Sequence, residues 1–411
     1  MRVALVTQNY PPLVNGQSTF VAGLARGLAG LGHDVLVVCP SAMPRRRSSR
    51  SGRVRIERLA GVPLTPGRPR VPLAVRPGPA VHALFDEFRP DVVHLQDHYP
   101  VCRSALGDAH ARGLPVIATN HFLPRNLTAH VPIPAAVRPM VETVLWRNAR
   151  DVYARAAAVT APTATAVALL REGCGVDARP ISCGVDIERF GPARSTGPGA
   201  LARPLGLPAD VPIALYVGRL DADKRVEVVI DAMTRVGHPR LHLAIVGRGP
   251  RERDLRRRCV LLGLGSRVTF LGFVPQSRLP ALLASADIFV MPGESELQSI
   301  ATLEALASGL PVIAANAGAL PELVFPGVTG VLFPPGDAAA AAACLDSLAS
   351  DGELRDRMGR AGRALAERHD RRATYAAYAG LYAEVVADPA ARYSDSNAGP
   401  LSHASTDTGA G

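Results

Sequence analysis

Cysteine is scarce in this sequence, and its spacing is irregular. Six cysteines occur among 411 residues, and no two of them form a CxxC pair. Zinc sites and disulfide frameworks both depend on clustered or regularly spaced cysteines, so we expect neither here. Reduced thiols are the simplest state of such a set, which favours a reducing compartment. The six are Cys39, Cys102, Cys174, Cys183, Cys259 and Cys344.

Aromatic residues and long apolar runs are lacking as well. Phe, Trp and Tyr make up only 5% of the chain, which argues against nucleic-acid binding, because such surfaces interleave aromatic platforms with basic residues. No apolar run reaches about 18 residues, so no transmembrane helix is predicted. Residues 1–8, MRVALVTQ, are too short and too strand-like for a signal peptide. We expect a cytoplasmic protein whose membrane contact, where there is one, is peripheral on the inner face.

Acidic residues are outnumbered. The chain has 46 basic and 36 acidic side chains, a net charge of +10 and a pI of about 9.8. This balance favours anionic partners such as nucleotide diphosphates or acidic lipid surfaces. The densest basic run, residues 45–58, is open to two interpretations. It is either a solvated, mobile loop or a contact surface for anionic lipid headgroups.

Short apolar segments alternate with helical ones in the first half of the chain. Residues 3–7 and 35–39 are predicted as buried strands, joined by a helix that Ser18 or Thr19 caps and that ends near Leu31. Further strands are predicted at 54–58, 92–96, 116–119 and 157–161, and further helices at 82–88 and 164–172. Alternation of this kind is typical of a doubly wound parallel sheet.

The same alternation resumes after a Pro-, Gly- and Ala-rich segment, residues 192–210, which we interpret as a linker. The predicted fold class is therefore α/β, with two tandem Rossmann-like, doubly wound domains facing each other across a cleft. The predicted boundaries are 1–191 for the first domain and 211–370 for the second. The tail, 389–411, lacks large apolar residues and is predicted to be disordered. The second domain's predicted strands are 213–217, 241–246, 268–271, 288–290, 312–314 and 331–333.

The first loop lacks a G-x-G-x-x-G pattern, which counts against a dinucleotide-binding dehydrogenase. It does contain Asn15-Gly16. Glycine lets the backbone approach a phosphate closely, although Asn-Gly is also a common turn.

His121, in ATNHF, follows a predicted strand and could hydrogen-bond a hexose. A single histidine of this kind is as readily structural.

Two carboxylates, Glu296 and Glu304, stand eight residues apart around a predicted helix start. Backbone N–H groups at such a terminus suit a diphosphate, Glu304 could accept bonds from ribose hydroxyls, and Glu296 would face a hexose. Two solvated glutamates are the alternative.

The segment Gly218–Lys224 follows another predicted strand, and its two cations, Arg219 and Lys224, could stabilise a departing diphosphate. Ordinary charges on an exposed loop are the alternative there.

Six motifs occur in an order that is specific as a set. Over about residues 1–388 the chain resembles the retaining glycosyltransferases of family 4, which have the GT-B fold. The motifs are Tyr10-Pro11-Pro12 with Asn15-Gly16; Ile181-Ser182-Cys183-Gly184-Val185-Asp186 with Arg189-Phe190; Gly218-Arg219-Leu220 with Lys224; Val246-Gly247-Arg248-Gly249-Pro250; Val268-Thr269-Phe270-Leu271-Gly272; and Glu296 with Glu304 and Ala307-Ser308-Gly309-Leu310-Pro311-Val312.

The resemblance implies roles for matching residues. Gly218, Arg219 and Lys224 would hold the diphosphate of a nucleotide sugar, and Gly16 would approach it from the first domain. His121 would contact the hexose near the reacting carbon. By the same resemblance the first domain binds the acceptor, the second binds the nucleotide sugar, and residues 371–388 form a helix that crosses back onto the first.

The second domain carries the remaining implied contacts. Glu304 would bind the ribose, and the backbone of Phe273 and Val274 would read the base. The hexose and β-phosphate would lie against Glu296 and the backbone of Gln298, Ser299 and Ile300. The expected catalytic residues are His121, Glu296, Arg219 and Lys224. The resemblance implies no metal and no cofactor, with front-face transfer in which the β-phosphate deprotonates the acceptor.

The expected reaction moves glucose or mannose from UDP-glucose or GDP-mannose to a hydroxyl. Gln298-Ser299 replaces the family's usual Phe-Gly, and Asn15-Gly16 replaces Gly-Gly. Both variants look closer to the subgroup that glycosylates diacylglycerol or related lipids, so a lipid acceptor is preferred. A natural-product aglycone, an inositol phosphate or a polysaccharide is the alternative acceptor. A non-catalytic nucleotide- or carbohydrate-binding protein is a further alternative, which the four intact polar residues oppose.

Overall fold

The computed structural model describes residues 1–13, 15–63, 72–128, 133–191, 206–208 and 210–388. The strands of the first part are β1 (Arg2–Val6), β2 (Asp34–Pro40), β3 (Arg47–Ser51), β4 (Val54–Leu59), β5 (Gly61–Pro63), β6 (Pro72–Ala74), β7 (Val92–Leu95), β8 (Val116–Thr119), β9 (Ala158–Ala161) and β10 (Arg179–Pro180). Its helices are α1 (Gly16–Gly30), α2 (Pro77–Phe88), α3 (Pro100–Ala111), α4 (Pro124–Thr128), α5 (Arg138–Tyr153) and α6 (Ala164–Cys174).

The first sheet has the strand order β10-β9-β8-β7-β1-β2-β4-β3, and all its pairs are parallel except β3–β4. The inner strands β1, β7 and β8 are apolar and buried almost throughout. Helices cover both faces of the sheet, so its strands need no polar side. Because all these strands except β3 run the same way, their carboxyl ends lie along one edge.

The second sheet repeats this design. Its strands are β11 (Ile213–Val217), β12 (His242–Val246), β13 (Val268–Gly272), β14 (Ile288–Met291), β15 (Val312–Ala315) and β16 (Gly330–Phe333). Its helices are α7 (Val226–Met233), α8 (Glu252–Leu261), α9 (Leu279–Ala284), α10 (Ile300–Ala307), α11 (Ala338–Ser350) and α12 (Gly352–Glu367). The order β13-β12-β11-β14-β15-β16 is parallel throughout. The predicted α/β class with two Rossmann-like sheets is confirmed.

The basic run was predicted as a mobile loop or a lipid-contact surface, and the loop interpretation is wrong. Residues Arg47–Ser51 form β3, antiparallel to β4. The segment folds around the buried carboxylate of Glu57, which accepts bonds from Arg46 Nε, Ser48 Oγ and Arg55 Nε at 2.7–2.8 Å. The sequence Arg-Ser-Ser-Arg-Ser has no apolar alternation, so only this tertiary contact explains the strand.

The cap of α1 is a second correction. The helix was predicted to begin at Ser18 or Thr19, but Asn15 is its N-cap, with the Asn15 Oδ1 atom accepting the Ser18 N–H at 2.8 Å. Helices α3, α4 and α5 were not predicted. Each contains small or polar residues at most positions, because each buries only part of its surface.

A last helix, α13 (Arg371–Ala387), packs on the first sheet. The hydroxyl of Tyr382 bonds His94 Nδ1 on β7 at 2.8 Å, and the hydroxyl of Tyr378 lies 3.2 Å from Thr119 Oγ1 on β8. Burial lowers the pKa of His94 to about 3, so its ring is neutral.

Most of the predicted linker and all of the predicted tail lie outside the described residues. Within the described ranges, no helix combines the length and apolarity that crossing a membrane requires.

Candidate active site

The N-termini of two helices lie close together where the halves of the chain meet. Helix α1 begins at Gly16, after the loop that follows β1, and α10 begins at Ile300, after the loop that follows β14. A Cβ atom placed on Gly16 would lie 3.8 Å from the Ile300 Cδ1 atom. The side chains of Asn15 and Ser299 cap the two helices. Their dipoles and first-turn N–H groups make this a favourable position for a diphosphate.

A buried carboxylate fixes the loop that leads to Gly16. Asp97 Oδ2 accepts the Gln8 N–H at 2.6 Å and the Gln17 Nε2 amide at 3.0 Å, and Gln17 Oε1 accepts Asn9 Nδ2 at 2.8 Å. Burial raises the pKa of the Asp97 carboxyl, although these hydrogen bonds act in the opposite direction. Asp97 therefore positions the start of α1.

His121 lies just past the carboxyl end of β8, at the edge that faces the cleft. Its Nε2 atom is 3.1 Å from Gln96 Oε1, and its ring centroid is 5.0 Å from that of Phe20. Burial lowers the pKa of His121 to about 4. The imidazole is consequently neutral at physiological pH and suited to hydrogen bonding rather than to carrying charge.

The loop after β11 carries the two predicted phosphate-binding cations. Arg219 Nη1 lies 2.5 Å from Asp221 Oδ2 and its side chain is 43% exposed, so it can reach a ligand. This loop packs closely on the next one: a Cβ atom on Gly247 would lie 1.8 Å from the Gly218 carbonyl oxygen. Only glycine permits that approach, which explains one glycine of the Val246–Pro250 motif.

Lys224 and Glu296 form an ion pair at the centre of the site. Lys224 Nζ lies 2.8 Å from Glu296 Oε1 and 3.2 Å from Asp223 Oδ2. Burial opposes the charge of Lys224, but the two carboxylates outweigh it and raise the pKa. The ammonium stays charged, and Glu296 is held in one orientation. The sequence-predicted pair, 72 residues apart, is thus brought together.

Gln298 joins the two halves of the chain. Its Oε1 atom accepts the Cys183 N–H at 2.6 Å, and its Nε2 atom donates to Ser182 Oγ at 3.0 Å. The side chain of Gln298 is therefore bonded within the protein, and a ligand would meet the backbone N–H groups of Gln298, Ser299 and Ile300, as the family resemblance implies.

Glu304 is buried on α10, with 6% of its surface exposed. Burial raises its pKa to about 8, while the charge of Arg189 acts to lower it. Arg189 donates through Nη2 to the Gln276 carbonyl oxygen, so it adjoins the loop expected to read the base. In that loop Phe273 is 50% exposed, whereas Val274 packs against the core of the second sheet.

Sequence reasoning missed Ser182 and Arg189, which were noted only as members of a motif, although both contact the second half. Lys224 was selected from its motif, and because it is the only lysine in a chain with 46 basic residues, composition alone could also have selected it.

Two family models together match most of the chain. The model described as Glycosyltransferase Family 4 matches residues 14–189, and the one described as Glycosyl transferases group 1 matches residues 200–365. A GDP-mannose-dependent alpha-mannosyltransferase of Mycobacterium tuberculosis is 33% identical over 346 residues, which cover 82% of this chain and 85% of that protein. The chain belongs to glycosyltransferase family 4.

Another relative of this family 4 chain is longer. Sulfoquinovosyl transferase SQD2 of Arabidopsis thaliana is 31% identical over 313 residues. These cover 74% of the chain but only 58% of SQD2, so the chain spans less than two thirds of that relative.

Solved structures show the same fold. The sucrose-phosphate synthase of Thermosynechococcus elongatus has a TM-score of 0.77 and 26% identity, with 94% of this chain and 99% of that one covered. Anabaena Alr3699/HepE in complex with UDP-glucose has a TM-score of 0.75 and 20% identity, with 93% and 100% covered. At that identity the second comparison establishes the GT-B fold alone.

Proposed function

We propose that this family 4 enzyme is a retaining hexosyltransferase that moves glucose or mannose from UDP-glucose or GDP-mannose to a hydroxyl group. The observation that carries the proposal is the Lys224–Glu296 pair in the loops before α7 and α10, together with the close approach of the N-termini of α1 and α10. The cations and helix dipoles supply positive charge where a diphosphate leaves, which is the electrostatic stabilisation such a transfer needs. In this proposal no metal takes part.

For the retaining course that we propose, the environment of Glu296 argues against a covalent glycosyl-enzyme step. A carboxylate bonded to an ammonium at 2.8 Å is a weak nucleophile. We infer that the departing β-phosphate deprotonates the acceptor hydroxyl, which attacks from the same face. Neutral His121 would hydrogen-bond the hexose near the reacting carbon, and Glu304 would accept the ribose hydroxyls.

We further propose that the acceptor is a lipid and that the protein binds the inner membrane face peripherally. Val137, Met140 and Val144 form an exposed apolar stripe along the start of α5, 39%, 64% and 56% exposed respectively. Arg138 and Arg147 border the stripe on the same helix. An apolar face bordered by arginines suits the interface of an anionic bilayer.

The basic run at 45–58 is a weaker candidate for that contact. Arg46 and Arg55 bond Glu57, Arg53 pairs with Asp34, and Arg58 donates to the Pro11 carbonyl oxygen. These arginines already have protein partners, so we place the membrane contact on α5.

Thermal-shift titration with UDP, GDP, ADP and dTDP tests the sugar-donor site, because a ligand of the native state raises its melting temperature by mass action. We expect one nucleotide, UDP or GDP, to stabilise the protein and so identify the base. A well-folded sample that responds to none of the four would contradict the proposal. Transfer to a soluble hydroxyl compound but to no lipid would favour the alternative acceptor class.

A further inference from the structure

Three residues at the start of α6 contact the second half of the chain. The Thr163 hydroxyl donates to the Leu297 carbonyl oxygen at 2.8 Å. The N–H groups of Ala164 and Thr165 donate to the two oxygens of the Glu322 carboxylate at 3.2 and 2.7 Å. A carboxylate at a helix N-terminus satisfies unpaired N–H groups and stabilises the positive end of the dipole. We call these three hydrogen bonds the closure contact.

The closure contact reaches the loop that carries Glu296. Leu297, the next residue, is 8% exposed and packs against Ala161 and Ala166 of the first half. Its carbonyl oxygen is the acceptor for Thr163. Both the side chain and the backbone of this loop residue are therefore held from across the cleft.

Glu322 is linked to Glu296 through the backbone as well. The Ala319 N–H donates to the Glu296 carbonyl oxygen at 2.9 Å. Gly318 has φ +53°, and a Cβ atom there would lie 2.6 Å from that same oxygen, so the close packing needs glycine. A shift of Glu322 relative to α6 would thus displace the backbone of Glu296.

We propose that Thr163 and Glu322 are positioning residues for sugar transfer. They give the Glu296 loop its working geometry only while the two halves are in contact, so the reaction would be confined to the closed arrangement. The inference rests on the proposed function, because the role of this loop in holding the hexose is part of that proposal.

The test uses the full chain with Thr163→Val, Thr163→Ser and Glu322→Gln. Asp351→Asn is the matched control, because Asp351 Oδ1 caps α12 wholly within the second half, accepting the Leu354 N–H at 2.8 Å. We expect kcat to fall about ten-fold in Thr163→Val and Glu322→Gln, since small displacements of a reacting geometry are costly. Thr163→Ser keeps the hydroxyl and should stay within about two-fold of the parent. Asp351→Asn should keep its kcat.

Binding separates this role from a general loss of structure. The melting shift produced by UDP or GDP should survive in every variant, because Arg219 and Lys224 are untouched. An unchanged kcat in both Thr163→Val and Glu322→Gln would overturn the inference, and so would an equal loss in Asp351→Asn.

Small-angle scattering decides the closure contact independently of the sugar-donor site. We expect a larger radius of gyration for Glu322→Gln than for the parent. Identical scattering curves would show that the closure contact does not hold the two halves together and would overturn the inference. A parent that binds no nucleotide contradicts the proposed function, and the scattering comparison then still supports or overturns the closure contact.

Discussion

Lys224 is an exception in a chain whose other basic side chains are all arginine. Its ammonium lies between Glu296 and Asp223 in a site that leaves the side chain 16% exposed. A compact ammonium fits between two carboxylates where a planar guanidinium would have to displace one of them. We therefore expect arginine to fit this position poorly.

We therefore predict that Lys224→Arg lowers kcat/KM by about 100-fold, although the charge is kept. Arg253→Lys, on the exposed surface of α8, is the matched control and should be near normal. Lysine-selective isotope labelling gives a single lysine spin system in the parent, and its shift on adding UDP or GDP reports on this site. Near-normal turnover of Lys224→Arg would contradict the assignment to the diphosphate.

Glu304 should make the stability depend on pH. Burial raises its pKa in the folded protein to about 8, against about 4.3 in an unfolded chain. Between about pH 4.3 and about pH 8 the folded state keeps a proton that the unfolded state releases, so stability falls across this window and levels off above it. The loss is about 5 kcal/mol in all, of which about 3 kcal/mol falls between about pH 6 and about pH 8.

Glu304→Gln cannot ionise and should remove this dependence. We expect its melting temperature to fall less than the parent's between about pH 6 and about pH 9, and its affinity for the nucleotide to be weaker. Glu353→Gln, a substitution on the outside of α12, should keep the parent's pH profile. Parallel profiles for the parent and Glu304→Gln would show that Glu304 is not the titrating group.

At the scale of elements, the contact between α1 and α13 is so close that it requires glycine. A Cβ atom on Gly27 would lie 2.1 Å from the Tyr375 ring, whereas nothing lies within 4 Å of the equivalent position on Gly30. The absence of a side chain at Gly27 thus leaves room for the Tyr375 ring, so that α13 can pack closely on α1.

We predict that Gly27→Ala destabilises the protein by about 1–2 kcal/mol, because overpacking outweighs the better helix propensity of alanine. Gly30→Ala, in the same helix, should be neutral or slightly stabilising. Chemical denaturation checks both. In a Tyr375→Ala background the Gly27→Ala change should lose its cost, and a cost that persists there would contradict the steric explanation.

At the scale of the whole molecule, the net charge of +10 and the α5 stripe predict salt-sensitive membrane association. Each arginine near an anionic surface contributes about 1 kcal/mol, and this attraction is screened by salt. We expect sedimentation with vesicles that contain phosphatidylglycerol, little with neutral vesicles, and release at high ionic strength.

The double variant Met140→Glu with Val144→Glu should abolish vesicle binding. Val328→Glu is the matched control, because Val328 is 53% exposed in the other half of the chain and no arginine lies within five residues of it in the sequence. Unchanged binding of the α5 variant would move the contact elsewhere, and an equal loss in Val328→Glu would indicate a purely electrostatic effect.

Much of the fold follows from local pattern. Short β-branched runs such as those around Val3 and Ile213 form the buried parallel strands, because a strand covered on both faces must be apolar throughout. The site motifs were also visible, since glycines and charged residues directly after such strands lie at one sheet edge. Glu296, Glu304, Arg219 and Lys224 could be selected on that basis.

The remaining features depend on partners distant in sequence. The strand β3 forms because arginines of the basic run donate hydrogen bonds to the buried carboxylate of Glu57. No periodicity of apolar residues predicts this contact. Asn15 was missed as the α1 cap, because Asn-Gly equally predicts a turn.

The sequence alone determined two α/β halves and their charged loops. Tertiary structure decided that Glu296 meets Lys224, that Glu304 is buried enough to change its pKa, and that Glu322 caps α6. Each depends on burial or on a contact across more than 70 residues, which local pattern cannot specify.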